Sequence, residues 1–171
     1  LAWARSTFDQ DDVRRVLFST SVCFDLSVFE MFTPLTSGGE VVMVADLLEA
    51  AAVMRSEPIS LINTVPSALR ELLRGGDLPD SGRVVNLAGE PLPRQLADQI
   101  HEQSAGLRLF DLSGPSEDTT YSTWAERLPG GMATIGRPIW NTRAYVLDAE
   151  MAVLPVGVAG ELYLGGDGLA R

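Results

Sequence analysis

This chain of 171 residues is poor in reactive side chains, in positive charge and in long apolar runs. It has one cysteine, Cys23, which excludes a disulfide framework and a cysteine-rich zinc site. Cys23 sits in an apolar run and is expected to be a small core residue. The only histidine, His101, stands mid-helix among Asp98, Glu102 and Gln103, where a surface position is expected. A single histidine excludes a histidine-based triad or metal cluster. Lys and Arg number 13 against 23 Asp and Glu, a net charge of −10. That balance argues against a nucleic-acid backbone or an anionic membrane as partner. No apolar run approaches the ~20 residues needed to span a bilayer. Leu1-Ala-Trp-Ala-Arg5 lacks the basic start and long apolar stretch of a secretory signal. A cytoplasmic location is the expectation. Trp3, Trp124 and Trp140 are isolated along the chain and are expected to pack in a core or against a subunit.

The chain does have ample apolar content, 46%, and it is strongly patterned. Residues 13–20, 40–45, 59–65, 83–88 and 107–112 read as short apolar strands. Between them, residues 25–35, 46–56, 66–74 and 93–104 carry helical spacing. Asp46 can cap its helix, and Pro66 suits a first turn. Pro34 weakens the last turn of the first of these helices, which Gly38-Gly39 should end; Gly75-Gly76 should stop the third. Strands alternating with helices of about ten residues imply βαβ units and a parallel sheet. After Gly114 the pattern changes to strands at 121–125, 142–147 and 160–164, joined by Gly/Pro turns. The expected fold is α/β: a doubly wound, mostly parallel sheet with flanking helices, then the start of a small β-rich subdomain. The division falls at residues 1–139 and 140–171. There is no internal repeat, low-complexity segment or long linker. The N-terminus reads like a helix already under way, and the chain stops just after a glycine-rich strand. Both ends are therefore expected to lie inside a longer protein.

The run Asp111-Leu-Ser-Gly-Pro-Ser-Glu-Asp-Thr-Thr120 follows the fifth strand. Gly114-Pro115 forces a turn, and hydroxyls and carboxylates come next. Strand ends of this kind are where open α/β sheets bind ligands. Hydroxyls can hold phosphate oxygens, and a carboxylate can hold Mg²⁺. Two further stretches are Phe24-Asp-Leu-Ser-Val-Phe-Glu30 and Gly160-Glu-Leu-Tyr-Leu-Gly-Gly-Asp-Gly-Leu-Ala-Arg171. Three more are Asn63-Thr-Val-Pro-Ser67, Asn86-Leu-Ala-Gly-Glu-Pro91 and Ile135-Gly-Arg-Pro138. Taken in this order and spacing, the six stretches resemble the adenylation domains of nonribosomal peptide synthetases. Those domains belong to the adenylate-forming superfamily, with acyl-CoA synthetases and luciferases. The resemblance covers essentially the whole chain.

That resemblance implies ATP-dependent formation of an aminoacyl adenylate from an amino acid, with Mg²⁺ as cofactor. The aminoacyl group would then pass to phosphopantetheine on a partner peptidyl-carrier domain, in a synthetase that also holds condensation domains. Position by position, it implies an amino-acid pocket of Asp25, Leu26, Phe29, Asn63, Asn86, Ala88, Leu112, Thr120 and Tyr121. The set looks like that of alanine-activating modules, and the bulk of Phe29, Leu26, Leu112 and Tyr121 is compatible with a small substrate. Glycine and serine stay open, because one methyl is worth only ~1–3 kcal/mol in an apolar pocket. From the residues alone, Asp25 opening a helix can be an N-cap, a ligand for an ammonium group, or both. Asn63 and Asn86 each end an apolar strand and must find amide partners, either neighbouring backbone or a crevice.

For the nucleotide, the resemblance implies Gly89, Glu90 and Pro91 along the adenine, Asp111 facing its amino group and Ser116 on phosphate. It implies Glu117 as the magnesium ligand. Without the resemblance, Glu90 reads as lying near the positive end of the helix that follows it. Ser113 stands where the family usually has a stacking tyrosine, and Asp111 where it usually has asparagine. Asp118 is expected to be solvated. The family's phosphate loop, ribose-binding aspartate and catalytic lysine have no counterpart here, so the isolated chain is expected to be inactive. Two other readings are an acyl-CoA-ligase-like enzyme, against which Asp25 and Asn63 argue, and a non-catalytic binding module that retains the fold.

Overall fold

The computed structural model describes residues 1–75, 78–104 and 106–170, apart from the Leu47 side chain. Gly76 and Arg171 lie outside the described residues, so the helix stop at Gly75-Gly76 and the last residue of the C-terminal stretch go without comment there. Alternation of strand and helix builds α1 (Ala2–Thr7), β1 (Arg15–Phe18), α2 (Leu26–Leu35) and β2 (Glu40–Met43). There follow α3 (Leu47–Ser56), β3 (Leu61–Thr64), α4 (Pro66–Arg74), β4 (Val84–Leu87), α5 (Arg94–Gln103) and β5 (Arg108–Ser113). A 3₁₀ turn at Ser116–Asp118 leads into β6 (Thr123–Glu126), β7 (Arg137–Pro138), β8 (Thr142–Leu147) and β9 (Glu161–Gly166). The two-residue β7 is the strand that periodicity did not reveal.

Seven strands form one sheet in the order β2-β1-β3-β4-β5-β6-β7. β1 to β5 pair in parallel, while β6 and β7 add antiparallel. β8 and β9 form a separate antiparallel pair. Successive strand residues face opposite sides, so each strand feeds two cores. Leu17, Ile62, Val85, Leu87 and Leu109 pack against α3, α4 and α5. Val16, Leu61, Val84, Phe110 and Leu112 pack against α1, α2 and Tyr121. Helices on both faces are the reason β3 and β4 are buried along their whole length.

The chain ends its helices by the expected chemistry. The Asp46 side chain accepts from the Glu49 amide and caps α3. Pro34 sits inside the last turn of α2, and beyond it the Gly39 amide bonds back to the Pro34 carbonyl at 2.9 Å. Beneath the sheet, fully buried Asp12 binds Arg83 at 2.9 Å and also Arg108, tying the starts of β4 and β5 to the loop before β1.

Several residues lie elsewhere than expected. Cys23 is exposed, because its run lies in the loop between β1 and α2 rather than in a strand. Trp3 and Trp124 are neighbours, with ring centroids 5.9 Å apart, whereas Trp140 is 60% exposed. His101 is half-buried, its Nε2 2.7 Å from the Arg127 carbonyl. Asp118 is 1% exposed, since the turn folds it under Gly168. Val28, Phe32 and Leu35, the apolar stripe of α2, point outward, while Leu26, Phe29 and Glu30 point in.

Candidate functional site

Parallel strands deliver their loops to one end of the sheet, so residues far apart in the chain meet there. Asn63 and Asn86 are register partners on neighbouring strands, and Asn86 is in register with Phe110. The period of two puts Asn63, Asn86, Ala88 and Leu112 on the side that α2 covers. α2 brings Leu26 and Phe29 to that side, and the loop after the 3₁₀ turn brings Tyr121. Phe29 and Tyr121 meet edge to face, their centroids 5.6 Å apart.

Asp25 is half-buried and directly precedes α2, but its side chain makes no cap hydrogen bond. The reason is geometric: its backbone is already helical (φ −63, ψ −24), whereas a capping residue is usually extended. The Thr120 hydroxyl donates to the Asp25 carbonyl at 3.1 Å. Thr119 and Thr120 both have positive φ, 51° and 76°, and for β-branched side chains that is strained backbone. The strain turns the chain sharply enough to set Tyr121 beside α2.

Asn63 is not bonded to neighbouring backbone. Its Nδ2 donates to Glu30 Oε1 at 3.1 Å, and its Oδ1 accepts from the Tyr121 hydroxyl at 2.6 Å. Burial pushes the Tyr121 phenol well above its ordinary value, so it stays protonated. Asn86 is fully buried, and neither its oxygen nor its nitrogen has a partner among the described residues. An unpaired buried amide costs ~1–3 kcal/mol, and a bound polar ligand would relieve that cost.

At the ends of β4 and β5 lies a cleft of about 450 Å³, which Leu112 also lines. Its walls include Gly89, Glu90, Pro91, Asp111 and Ser113, all from the ends of β4 and β5, together with Arg127 and Thr134. The structure thus brings together five of the six residues expected around a nucleotide. Ser116 is exposed on the turn beyond and does not line this cleft. The Glu90 carboxylate accepts from the Ser67 amide at 3.0 Å and the Ser67 hydroxyl at 2.7 Å. It therefore sits at the positive end of α4, the helix before it, and not of α5 as expected. Asp111 Oδ2 accepts from Arg127 Nη1 at 2.7 Å. Burial raises the Asp111 carboxyl above its ordinary value and the Arg127 guanidinium opposes that rise. Glu117 is exposed on the same turn as Ser116. No group of three metal-ligating side chains occurs among the described residues. A lone accessible carboxylate fits Mg²⁺, which commonly takes one or two protein carboxylates and completes its shell with phosphates and water.

Sequence reasoning missed Glu30 and Arg127. Glu30 is an acid inside an apolar helix, and that alone marks it as needing buried donors. Nothing local marks Arg127, whose partner is 16 residues away on the neighbouring strand.

A doubly wound sheet with a cluster of buried polar side chains and a cleft at the strand ends defines a ligand-binding α/β domain. More narrowly, the chain matches the AMP-binding enzyme family over residues 1–171 and belongs to it. It is 51% identical over 171 residues to a linear gramicidin synthase of Brevibacillus parabrevis, covering 99% of this chain and 3% of that protein. It is 50% identical over 175 residues to the AMB antimetabolite synthetase AmbB of Pseudomonas aeruginosa, covering 100% of this chain and 14% of that one. Among solved structures, the AMPPNP-bound form of the nonribosomal peptide synthetase FmoA3 superposes with a TM-score of 0.86 at 29% identity. That match covers 99% of this chain and 20% of FmoA3. A holo four-domain nonribosomal peptide synthetase bound to AMP and glycine gives a TM-score of 0.84 at 29% identity, covering 96% of this chain and 13% of that one. The chain thus has the sequence and fold of an internal part of a synthetase adenylation domain, and spans a small fraction of the relatives it matches.

Proposed function

We propose that this chain is the substrate-recognition core of a domain that activates a small amino acid, preferably alanine, as its adenylate. The observation that carries this reading is the convergence of Asp25, Asn63, Asn86 and Tyr121 near the strand ends, beside the Asp111–Arg127 cleft, with Leu112 common to both. Asp25 would hold the substrate ammonium by charge-assisted hydrogen bonds, and Asn86 would find its missing partner in the pocket. Close packing of Phe29 on Tyr121 leaves little room for a long side chain. That a solved neighbour carries AMP and glycine supports a small substrate beside a nucleotide.

In the reaction, a carboxylate oxygen of the amino acid attacks the α-phosphorus of ATP. The bond to the bridging oxygen breaks and pyrophosphate leaves. Phosphopantetheine on a carrier domain would supply the thiol that takes the aminoacyl group, with AMP as the leaving group. This chain's residues would contribute by positioning and charge placement, which can supply much of such a barrier. Glu117 would hold the Mg²⁺ that neutralises phosphate charge. Asp111 would accept from the adenine amino group while Arg127 keeps it ionised. With Ser113 in place of a ring, base stacking must come from elsewhere. The pair β8–β9 would begin a second, β-rich subdomain. An acyl-CoA ligase has no use for Asp25, since its substrate lacks an ammonium.

The test is amino-acid-dependent exchange of labelled pyrophosphate into ATP by the complete parent protein. Alanine should give the highest kcat/KM. A preference for leucine or phenylalanine would overturn the pocket assignment.

A further inference from the structure

We infer that Glu30 is a positioning residue: it decides which way round the Asn63 amide is held, and through Asn63 it aims the Tyr121 hydroxyl in the pocket wall. Its functional readout rests on the amino-acid-activation reading, but its geometry does not.

Glu30 is 0% exposed and projects from the inner side of α2. One carboxylate oxygen accepts from the Ser19 amide at 3.1 Å and the Thr20 amide at 3.2 Å. The other accepts from the Thr20 hydroxyl at 2.5 Å and from Asn63 Nδ2 at 3.1 Å. Four donors converge on one side chain, and an ionised carboxylate, an acceptor only, can satisfy all of them. An asparagine amide has nearly the same shape either way round, so its hydrogen-bond partners set its orientation. Burial raises the Glu30 carboxyl and its hydrogen bonds from Thr20, Asn63 and Ser19 oppose that rise; in the ionised form it can only accept, so Asn63 turns its NH₂ toward it and its oxygen toward Tyr121. The Tyr121 hydroxyl then has to donate, as its 2.6 Å contact with Asn63 Oδ1 shows. The chain of donors runs in one direction: Tyr121 to Asn63 to Glu30. The same carboxylate pins Ser19 and Thr20, which follow β1 and open the loop to Asp25. One buried group thus holds two walls of the candidate pocket.

Glu30→Gln keeps the size and breaks the logic. A glutamine that turns its NH₂ toward the two backbone amides sets donor against donor; one that turns it toward Asn63 makes the Asn63 amide flip, so that its NH₂ faces Tyr121 and the Tyr121 hydroxyl must accept instead of donate. Asn63→Asp alone sets two carboxylates face to face. The pair Glu30→Gln with Asn63→Asp repairs both faults. The introduced glutamine donates to the introduced carboxylate, which accepts from Tyr121 on its other oxygen, and one negative charge remains as before.

The experiment measures pyrophosphate exchange and thermal unfolding of the complete parent carrying each single and the double exchange. Glu30→Gln is expected to raise the alanine KM about tenfold, the equivalent of one misplaced hydrogen bond, with the ATP KM unchanged. Asn63→Asp should be worse, and the double variant should recover both the alanine KM and the Tm toward wild type. A double variant no better than its worse single parent would overturn the relay, because a merely structural Glu30 gives additive losses. If the singles do not fold, a folded double still supports the inference and an unfolded one ends it. If the wild-type parent shows no amino-acid-dependent exchange, the activation reading falls, and the order of Tm values alone decides the relay.

Discussion

Asp25 stands half-buried at the head of α2 with a carboxylate that caps nothing. Were it a structural cap, its removal would cost about 1 kcal/mol of stability and little activity. Held against a substrate ammonium, its removal leaves a buried charge unpaired, at ~3–5 kcal/mol. Asp25→Ala in the parent should therefore abolish alanine-dependent exchange while barely moving Tm; near-normal exchange would reduce Asp25 to a helix-opening residue. The Asp111–Arg127 pair gives a pH prediction. The Asp111 carboxyl is raised in the fold by burial, so its ionisation costs stability. The favourable state is the protonated one below its ordinary 3.8, and stability is lost as pH rises through the folded value. Arg127→Met removes the charge that limits the rise. The variant's Tm should fall more steeply than wild type as pH climbs from 3.8 toward neutrality, and parallel curves would show that the pair is not coupled.

Among the elements, the short β6–β7 ladder depends on backbone contact. Gly136 has φ +73°, and a Cβ there would lie 1.9 Å from the Trp124 carbonyl oxygen. No rotamer relieves a clash with main chain. Gly136→Ala should detach β7 from β6, costing at least the ~1–3 kcal/mol of a forced left-handed residue, read as lower Tm and faster amide exchange in Thr123–Glu126. Unaltered protection there would mean that β7 contributes nothing to the sheet. Helix limits were legible because caps and breakers act locally: Asp46, Pro66 and Gly38 each mark a boundary near where it falls. The destination of α2's two apolar sides was not legible, because helical spacing shows a stripe and not what covers it.

For the whole molecule, substrate size should follow from the aromatic floor of the pocket. Phe29 is 5% exposed and touches both Phe8 and Tyr121. Phe29→Ala in the parent should shift kcat/KM ratios toward valine or leucine, and should also cost ~3–5 kcal/mol where the site cannot collapse. Ratios among amino acids separate the two effects; unchanged ratios with lowered yield would make Phe29 a core residue only. A second expectation concerns the chain by itself. It contains no lysine at all, and on the proposed reading its polar residues supply the amino-acid pocket and only part of the nucleotide site. The 171-residue polypeptide should show no amino-acid-dependent pyrophosphate exchange, and any such exchange would refute the division of labour proposed above.

Periodicity, turn residues and six ordered motifs determined the sheet class, the helix positions and the family. These are properties of short windows, where apolar spacing and glycine or proline chemistry act within a few residues. Burial and partner choice are set across strands and helices, and only the tertiary structure decided them. It exposed Cys23, buried Asp118, and moved Glu90 from the helix after it to the helix before it. It paired Asp111 with Arg127 across β5 and β6, and it gave Asn63 a carboxylate 33 residues away and a phenol 58 residues away. A side chain's hydrogen-bond partner depends on which donors the folded backbone brings within about 3 Å, and no local pattern of residues encodes that distance.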